Sequence, residues 1–285
     1  MNQEIINLYD EYTHKPLTRK DFISKLIKLT GSTAIAMSVL PMLENNYAAA
    51  QTVQEDDKDL LIKDITYEGS GTSMKGYLAQ PKGKEKRGAV VVIHENRGLN
   101  PHIKDITRRV AKAGFIALAP DALSPFGGTP ANEDEARGLF AKLDKNQNLE
   151  NFIKGLDYLK HLKESNGKTG AVGFCWGGGL VNQLAVNAPD LKAAVAYYGA
   201  QPAAADVPKI KAHLLLHYGE LDQRINAGIP DFENALKAAG TNYQLFIYQG
   251  ANHAFNNDTS PSRYHEESAK LAWSRTIDLF NKELK

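Results

Sequence analysis

A short Gly-x-Cys-x-Gly segment constrains the fold of this chain more than any other feature. Residues 169–174 read as a buried strand, and the pattern Gly173-x-Cys175-x-Gly177 follows directly, with a helix predicted from about Trp176. Glycines on both sides of the cysteine are expected where side chains would collide with the neighbouring strand and helix. The segment therefore predicts a sharp strand–turn–helix with Cys175 at its apex, where helix N–H groups favour a thiolate. The alternative is a Gly-rich turn around a buried, inert cysteine.

Apolar runs alternate with amphipathic helical stretches along the rest of the chain. Residues 89–93 have no polar interruption, as expected of a strand that is covered on both faces. Further strands are predicted at 115–119, 193–198, 213–218 and 243–248. Two earlier segments, 62–67 and 74–79, are joined by turn residues and predict a hairpin. The pattern predicts an α/β fold with hairpin strands first, then a mostly parallel central sheet with helices on both faces.

The composition excludes several classes of protein. The chain is 42% hydrophobic and 24% charged, which is typical of a globular domain. Its 34 basic and 33 acidic residues leave a net charge of +1, so no electrostatic attraction to nucleic acid is expected. Cys175 is the only cysteine, which excludes an intramolecular disulfide and a multi-cysteine metal site. The sequence predicts no cofactor and no metal.

The first fifty residues differ in character from the rest. Arg19-Lys20 precedes the mostly uncharged stretch 29–40, and Ala48-Ala49-Ala50 offers small residues that a signal peptidase accepts. The stretch is too short for a stable membrane anchor, which needs about 20 apolar residues. These features predict a twin-arginine-like signal peptide and export to the periplasm. The alternative is a pair of amphipathic helices docked on the domain of a cytoplasmic protein. The predicted division is a leader or docked helices at 1–50, a linker at 51–59 and one domain at 60–285.

Two polar side chains follow later predicted strands. Asp222 comes just after the strand at 213–218, and His253 comes just after the strand at 243–248. Each alone is typical of a turn residue or of a satisfied polar group. Together with Cys175 they have the nucleophile–acid–histidine order of α/β-hydrolases, whose nucleophile elbow matches the Gly-x-Cys-x-Gly turn. The sequence therefore predicts a Cys175–Asp222–His253 triad.

The loop after the first buried strand is predicted to complete the site. Backbone N–H groups of Asn96 and Trp176 would be the donors to an oxyanion. Arg97 either binds an anionic group of the substrate or pairs with Asp105 or another acid. A carboxylate at Glu95 would disfavour a neighbouring thiolate unless it accepts the thiol proton.

Several pieces of the chain occur together in one family. They are His94-Glu95-Asn96-Arg97-Gly98, Ala119-Pro120-Asp121, the elbow around Cys175, Tyr197-Tyr198-Gly199, Asp222, and Gly250-Ala251-Asn252-His253-Ala254-Phe255. By these pieces the chain resembles the dienelactone hydrolase family over residues 60–285, and its leader is similar to that of an exported subgroup.

The resemblance implies an α/β-hydrolase fold and hydrolysis of a small ester or lactone, as in carboxymethylenebutenolidases. It implies that Cys175 is the nucleophile, His253 the base and Asp222 its orienting acid. It also implies that Glu95 contacts the resting thiol until substrate displaces it. Tyr198 is counted with the substrate-binding residues.

One departure from the family pattern concerns the substrate. Lactone-degrading members bind the substrate carboxylate with two arginines, whereas residues 122–126 and 255–257 of this chain contain none. Arg97, Arg224 and Arg263 are the candidates that could replace them. The natural substrate is therefore not specified by the sequence.

Two other kinds of function stay open, a thiol-redox protein and a non-catalytic protein on the same fold. The first lacks a resolving cysteine, and the second does not explain the intact triad. The oligomeric state is not readable from the sequence, and a homo-oligomer stays open.

Overall fold

A computed structural model of the protein describes residues 1–47 and 51–285. Ala48-Ala49-Ala50, which we singled out as a peptidase site, lies outside the described residues. The elements are, in chain order, α1 (Gln3–His14), α2 (Arg19–Thr30), α3 (Thr33–Leu43), β1 (Leu60–Glu68), β2 (Ser73–Pro81), β3 (Arg87–Ile93), α4 (Pro101–Lys112), β4 (Ile116–Pro120), α5 (Glu133–Phe140), α6 (Lys145–Lys160), β5 (Ser165–Phe174), α7 (Trp176–Asn187), β6 (Ala193–Tyr197), β7 (His213–Gly219), α8 (Gln223–Asn226), α9 (Ile229–Ala239), β8 (Tyr243–Tyr248) and α10 (Glu266–Leu284).

The eight strands form one sheet in the order β1-β2-β4-β3-β5-β6-β7-β8. β1 and β2 form the predicted antiparallel hairpin, and β2 is also antiparallel to β4. Every pair from β4 to β8 is parallel. The predicted mostly parallel sheet with helices, the α/β-hydrolase fold, is therefore confirmed. The carboxyl ends of the parallel strands meet at one edge, which we call the catalytic edge.

Helices cover both faces of the sheet and bury two apolar layers. Side chains of alternate β3 residues pack into opposite layers. Val91 and Ile93 lie in the first layer, and Val90 and Val92 lie in the second. Helices α6, α7 and α9 close the first layer, and α4 and α10 close the second. This double cover explains why residues 89–93 are apolar without interruption. It also holds the loops at the catalytic edge on a rigid support.

Residues 1–47, which we call the arm, fold around a small apolar core of their own. Tyr12 and Phe22 stack with ring centroids 4.5 Å apart, and Tyr9 packs against both. The arm contains three helices rather than the predicted pair, because Gly31, with φ of 72°, ends α2 in the left-handed conformation. The arm lies against the domain, which is the arrangement of the docked-helix alternative. Export stays a prediction.

The predicted linker, residues 51–59, is held against α4. The backbone N–H groups of Thr52 and Val53 donate to the carboxylate of Asp105 at 3.1 and 2.9 Å. Arg108 Nε donates to the Val53 carbonyl oxygen at 2.6 Å. The connection between arm and domain therefore follows a defined path after residue 51.

The helices were compared with the length and apolar composition that a membrane span needs. Within residues 1–47 and 51–285, no single helix has both the length and the apolar composition to cross a bilayer. The helices α2 and α3 reach that composition only together, with a bend of 117° between them.

Candidate active site

Cys175 lies at a strained turn between β5 and α7. Its φ of 56° is in a region that side-chain-bearing residues rarely adopt. A Cβ on Gly177 would lie 2.5 Å from the carbonyl oxygens of Ile93 and His94, and one on Gly173 would collide with the Gly177 carbonyl. Both glycines are therefore required by close backbone approach. The turn places the sulfur at the catalytic edge, in front of the first N–H groups of α7.

Asp222 and His253 form a short buried pair beside the elbow. They follow β7 and β8, which are parallel neighbours, so their side chains meet at the same edge. His253 Nδ1 lies 2.5 Å from Asp222 Oδ2. Burial by itself would raise the pKa of the Asp222 carboxyl, but the charge of His253 holds it below its ordinary value. Among the described residues, His253 Nε2 has no hydrogen-bond partner, although it is buried.

A second imidazole, that of His14 at the end of α1, contacts Cys175 directly. His14 Nε2 lies 3.1 Å from Cys175 Sγ. The rings of His14 and His253 meet edge to face, with centroids 4.7 Å apart. His14 Nδ1 lies 2.9 Å from the carbonyl oxygen of Asp10 and 3.1 Å from its Oδ1. Cys175 Sγ thus lies within 4.8 Å of a ring nitrogen of each of two histidines. The other ring nitrogen of each histidine contacts a carboxylate, that of Asp10 for His14 and that of Asp222 for His253.

The charges around His14 favour an ion pair with the sulfur. Burial alone would lower the pKa of His14, but the negative charge of Cys175 and the Asp10 carboxylate outweigh it and raise that pKa. Burial opposes ionisation of Asp10 too, yet the imidazoles of His253 and His14 hold its pKa far below the ordinary value. The arrangement therefore favours an imidazolium at His14, in contact with the sulfur of Cys175.

Glu95 lies in the same buried neighbourhood but is bound elsewhere. Its Oε2 accepts a hydrogen bond of 2.9 Å from Asn257 Nδ2. The resemblance implied a contact between Glu95 and the resting thiol, whereas the hydrogen bond of Cys175 Sγ in the described structure is with His14.

Tyr198 offers a free hydroxyl near the sulfur. Within the described residues, this buried hydroxyl has no hydrogen-bond partner. Burial and the negative charges of Glu95 and Cys175 raise the pKa of Tyr198 well above its ordinary value. The hydroxyl therefore stays protonated and is available as a hydrogen-bond donor.

The two predicted oxyanion donors are brought to the same edge. β3 and β5 are paired with Ile93 opposite Gly173, so the loop with Asn96 begins beside the elbow. Trp176 opens α7, and its ring stacks on that of His94 with centroids 5.5 Å apart. The side chain of Asn96 contacts the arm, since its Nδ2 donates a hydrogen bond of 2.7 Å to the Thr13 carbonyl oxygen.

Arg97 is held by the arm and by α5. Its Nη2 donates to the Tyr9 hydroxyl at 2.9 Å, and its guanidinium forms an ion pair with Glu133. The acid that pairs with Arg97 is therefore Glu133. Asp105 instead binds Arg109.

The other arginines near the site also contact the arm. Arg224 Nε lies 3.3 Å from Asp10 Oδ2, and the guanidinium of Arg263 lies 5.0 Å from the centre of the Tyr9 ring. Arg137, which the sequence did not single out, stacks on the Tyr12 ring at 4.1 Å. The arm thus interacts with each of the arginines that we considered as substrate ligands.

A cavity of about 1170 Å³ lies between the arm and the domain. Cys175, Trp176, Tyr198 and His253 are at its domain side, and residues 13–18 line it from the arm. Its charged lining is mostly basic, formed by Lys15, Arg137, Lys145 and Arg224 with the single carboxylate of Asp134. The cavity can hold a small molecule against the sulfur.

Sequence reasoning missed His14, Asp10 and Asn257. His14 and Cys175 are 161 residues apart, and no local pattern connects them. The spacing of Asp10 and His14, four residues on one helix, was readable, but such pairs are common on solvated helix faces.

Comparison with known proteins decides the family. The model of the dienelactone hydrolase family matches residues 74–284. The chain belongs to the dienelactone hydrolase family. Membership places it among hydrolases that act on ester and lactone bonds of small molecules. The match begins after the arm, so Asp10 and His14 lie outside it.

Individual members are similar over most of the domain. A protein of Saccharolobus solfataricus provisionally named carboxymethylenebutenolidase is 33% identical over 251 residues, which cover 75% of this chain and 95% of that protein. The crystal structure of a provisionally assigned dienelactone hydrolase from Klebsiella pneumoniae has a TM-score of 0.71 and 28% identity. It covers 78% of this chain and 98% of its own. A dienelactone hydrolase-like promiscuous phosphotriesterase from metagenomic libraries shares the fold, with a TM-score of 0.70 at 24% identity, over 80% of this chain and all of its own.

Proposed function

We propose that this family member hydrolyses a small ester or lactone with Cys175 as the nucleophile, His253 as the base and Asp222 as the acid that orients His253. The observation that carries the proposal is the strained Cys175 turn beside the 2.5 Å Asp222–His253 pair. A sulfur at such an elbow that lines the cavity is placed for attack, and a histidine with its Nδ1 bound keeps Nε2 for proton transfer.

The reaction divides into two acyl transfers. The thiolate of Cys175 attacks the carbonyl carbon, and N–H groups of Trp176 and Asn96 bind the oxyanion, with the Tyr198 hydroxyl as a further donor. The alcohol oxygen leaves with a proton from the His253 imidazolium. A water molecule then gives its proton to His253 Nε2 and attacks the thioester. The carboxylate product departs, and the thiolate is restored.

His14 has a separate role in this proposal. As an imidazolium 3.1 Å from the sulfur, it stabilises the thiolate of the resting enzyme. His253 is then free to exchange protons with the leaving alcohol and with water. Division of the two tasks between two histidines agrees with the unpartnered Nε2 of His253.

The basic lining supports an anionic substrate. Of the four cationic side chains of the lining, Arg137 and Arg224 lie beside the carboxylates of Asp134 and Asp10. The excess positive charge that attracts a substrate with a carboxylate or phosphate group therefore comes from Lys15 and Lys145. Arg137 and Arg224 are the arginines of that lining, and they take the place of the family's missing pair in this proposal.

A direct test is hydrolysis of p-nitrophenyl acetate before and after treatment with iodoacetamide. Cys175 is the only cysteine, so alkylation modifies one site. We expect alkylation to abolish hydrolysis, and prior incubation with an ester analogue to slow the alkylation. Full hydrolysis by the alkylated protein would contradict a cysteine mechanism.

Export through the leader-like residues 18–50 is a competing proposal for the arm. It rests on the Arg19-Lys20 pair, the uncharged stretch and the small residues before Gln51. Removal of that leader would take His14 away from the active site.

A further inference from the structure

We propose that Cys175, His14 and His253 form a binding site for a divalent metal ion of the zinc class, and that the bound ion blocks ester hydrolysis. One sulfur and one ring nitrogen from each histidine lie within 4.8 Å of one another. In the part of the chain that the structure describes, this is the only such group of three histidine, cysteine or acidic side chains. The inference goes beyond hydrolysis, because it concerns what else the same atoms bind.

The donor set selects the class of metal. A thiolate and two imidazoles suit Zn²⁺ and Co²⁺, whereas Mg²⁺ and Ca²⁺ require oxygen ligands. Three protein ligands leave a fourth tetrahedral position for water or an anion. That position faces the cavity, since His14, Cys175 and His253 all line it.

Each histidine has the support that a metal ligand needs. Metal-binding imidazoles usually donate their second N–H to a carboxylate or a backbone carbonyl, which fixes the free nitrogen toward the metal. His253 Nδ1 has Asp222 Oδ2 at 2.5 Å, and His14 Nδ1 has the Asp10 carbonyl oxygen at 2.9 Å. The two supports lie on different elements, α1 and the turn after β7, so they hold the imidazoles independently.

The spacing of His14 and Cys175 is close to that of a tetrahedral zinc site. Zinc bonds of about 2.0 Å to nitrogen and 2.3 Å to sulfur give a nitrogen–sulfur separation of about 3.5 Å. His14 Nε2 lies 3.1 Å from Sγ, so this pair must open by about 0.4 Å. A ring nitrogen of His253 lies within 4.8 Å of the other two ligand atoms, and among the described residues His253 Nε2 has no hydrogen-bond partner to give up.

Metal binding requires no oxidant or reductant. The ion takes the place of the proton shared by Cys175 and His14, and one proton is released to solvent for each ion that is bound. The sulfur lone pair and His253 Nε2 are then both occupied. Neither attack on a carbonyl carbon nor proton transfer to the leaving group can follow.

The test is a titration of the reduced full-length chain with Co²⁺ in the absence of oxygen. We expect one equivalent to produce a thiolate-to-cobalt charge-transfer band in the near ultraviolet and tetrahedral bands in the visible region. Addition of Zn²⁺ to the cobalt-loaded protein should remove the charge-transfer band and the visible bands, because zinc displaces cobalt. The readout is independent of any ester, so it succeeds or fails separately from the proposed hydrolysis.

Variants identify the ligands. Cys175→Ser should eliminate the charge-transfer band, and His14→Gln should weaken binding by more than the roughly 10–100-fold expected when Asp222→Ala removes the side chain that supports His253. His14→Gln also removes a contact of the arm, whereas Cys175→Ser keeps the His14 side chain and offers it a hydroxyl in place of the thiol.

His161 provides a matched control. It carries the same local arrangement as His14, with Nδ1 2.9 Å from the carbonyl oxygen of Asp157 four residues earlier, but it lies on the surface. His161→Gln should bind Co²⁺ as the original protein does. A missing charge-transfer band in the original protein, or equal binding by His14→Gln, would overturn the site.

Inhibition is measured on the same samples. One equivalent of Zn²⁺ should reduce hydrolysis of p-nitrophenyl acetate at least tenfold, and a chelator should restore it. Undiminished turnover by a protein that shows the cobalt spectrum would overturn the inhibitory role.

Discussion

His14 Nε2 lies 3.1 Å from Cys175 Sγ, across 161 residues of chain. An imidazole in hydrogen-bond contact with the proposed nucleophile therefore comes from α1, outside the part of the chain that matches the dienelactone hydrolase family. This relationship makes the arm part of the candidate active site. The family resemblance predicted that Glu95 contacts the thiol, whereas in the structure His14 contacts the sulfur and Glu95 binds Asn257.

Replacement of the nucleophile should remove activity and preserve the fold. We expect Cys175→Ala to reduce ester hydrolysis by at least about 10³-fold, because the attacking atom is absent. Cys175→Ser should retain little activity, since a hydroxyl is deprotonated poorly in a site built for a thiol. Steady-state kinetics on purified variants measure this, with circular dichroism as the control for folding. Near-normal turnover by Cys175→Ala would contradict the assignment.

Loss of His14 should reduce the thiolate fraction of the resting enzyme. His14→Gln removes the imidazolium that stabilises the negative sulfur, so the pH at which iodoacetamide reacts at half its maximal rate should rise. The measurement is the alkylation rate across pH for the original protein, His14→Gln and the surface control His161→Gln. A profile that is the same for all three proteins would rule out a thiolate–imidazolium pair at His14. Easier access alone would change the maximal rate and leave the midpoint in place.

Glu95 should affect alkylation and turnover in opposite directions. Its carboxylate disfavours the thiolate, so Glu95→Gln should react faster with iodoacetamide and be more sensitive to peroxide. If Glu95 also accepts the thiol proton when substrate binds, the same variant should hydrolyse esters more slowly. Asn257→Ala is the matched variant, because it frees Glu95 from its 2.9 Å hydrogen bond and keeps the charge. Unchanged alkylation of Glu95→Gln would mean that its carboxylate does not influence the sulfur.

Stability of the docked arm should depend on pH through two groups. The pKa of His14 lies above its ordinary value of 6.5, so its contribution is complete below that pH and is lost as pH rises through the raised pKa. The pKa of Asp10 lies below its ordinary value of 3.8, so its contribution is complete above that pH and is lost in stronger acid. We expect the difference in free energy of unfolding between the original protein and His14→Gln to be largest near pH 6.

Urea unfolding at pH 6 and pH 9 measures that difference. It should shrink between pH 6 and pH 9, because the His14 contribution is lost as pH rises through its raised pKa. A difference that grows with pH would show that the neutral imidazole is the stabilising form.

The N-terminus of the native protein distinguishes the docked arm from a removed leader. The arm is tied to the domain through Thr13, Asp10 and Tyr9, so we expect sequencing of the native chain to begin at Met1 or Asn2. Cell fractionation of the same culture tests export independently. A mature chain that begins near Gln51 and lies outside the cytoplasm would establish the leader and exclude His14 from the working enzyme.

Local sequence determined the sheet, the elbow and the order of the three residues of the proposed triad. An uninterrupted apolar run at residues 89–93 needs a strand covered on both faces, and the glycines at 173 and 177 permit the close approach that the elbow requires. Asp222 and His253 could be placed because each follows a strand, and parallel strands end at the same edge. These inferences depend on short-range sterics and on hydrophobic periodicity, which a sequence displays directly.

Tertiary structure alone decided which side chains surround the sulfur. The pairing of His14 with Cys175, of Arg97 with Glu133 and of Glu95 with Asn257 joins residues that are far apart in the chain. The first depends on how an amphipathic arm packs on the catalytic edge, and the other two depend on how loops of the domain meet. The helical period shows that an arm has an apolar face, but it does not specify the surface that this face covers. That choice follows from the complementarity of shape and charge between two assembled surfaces, which exist only once the chain is folded.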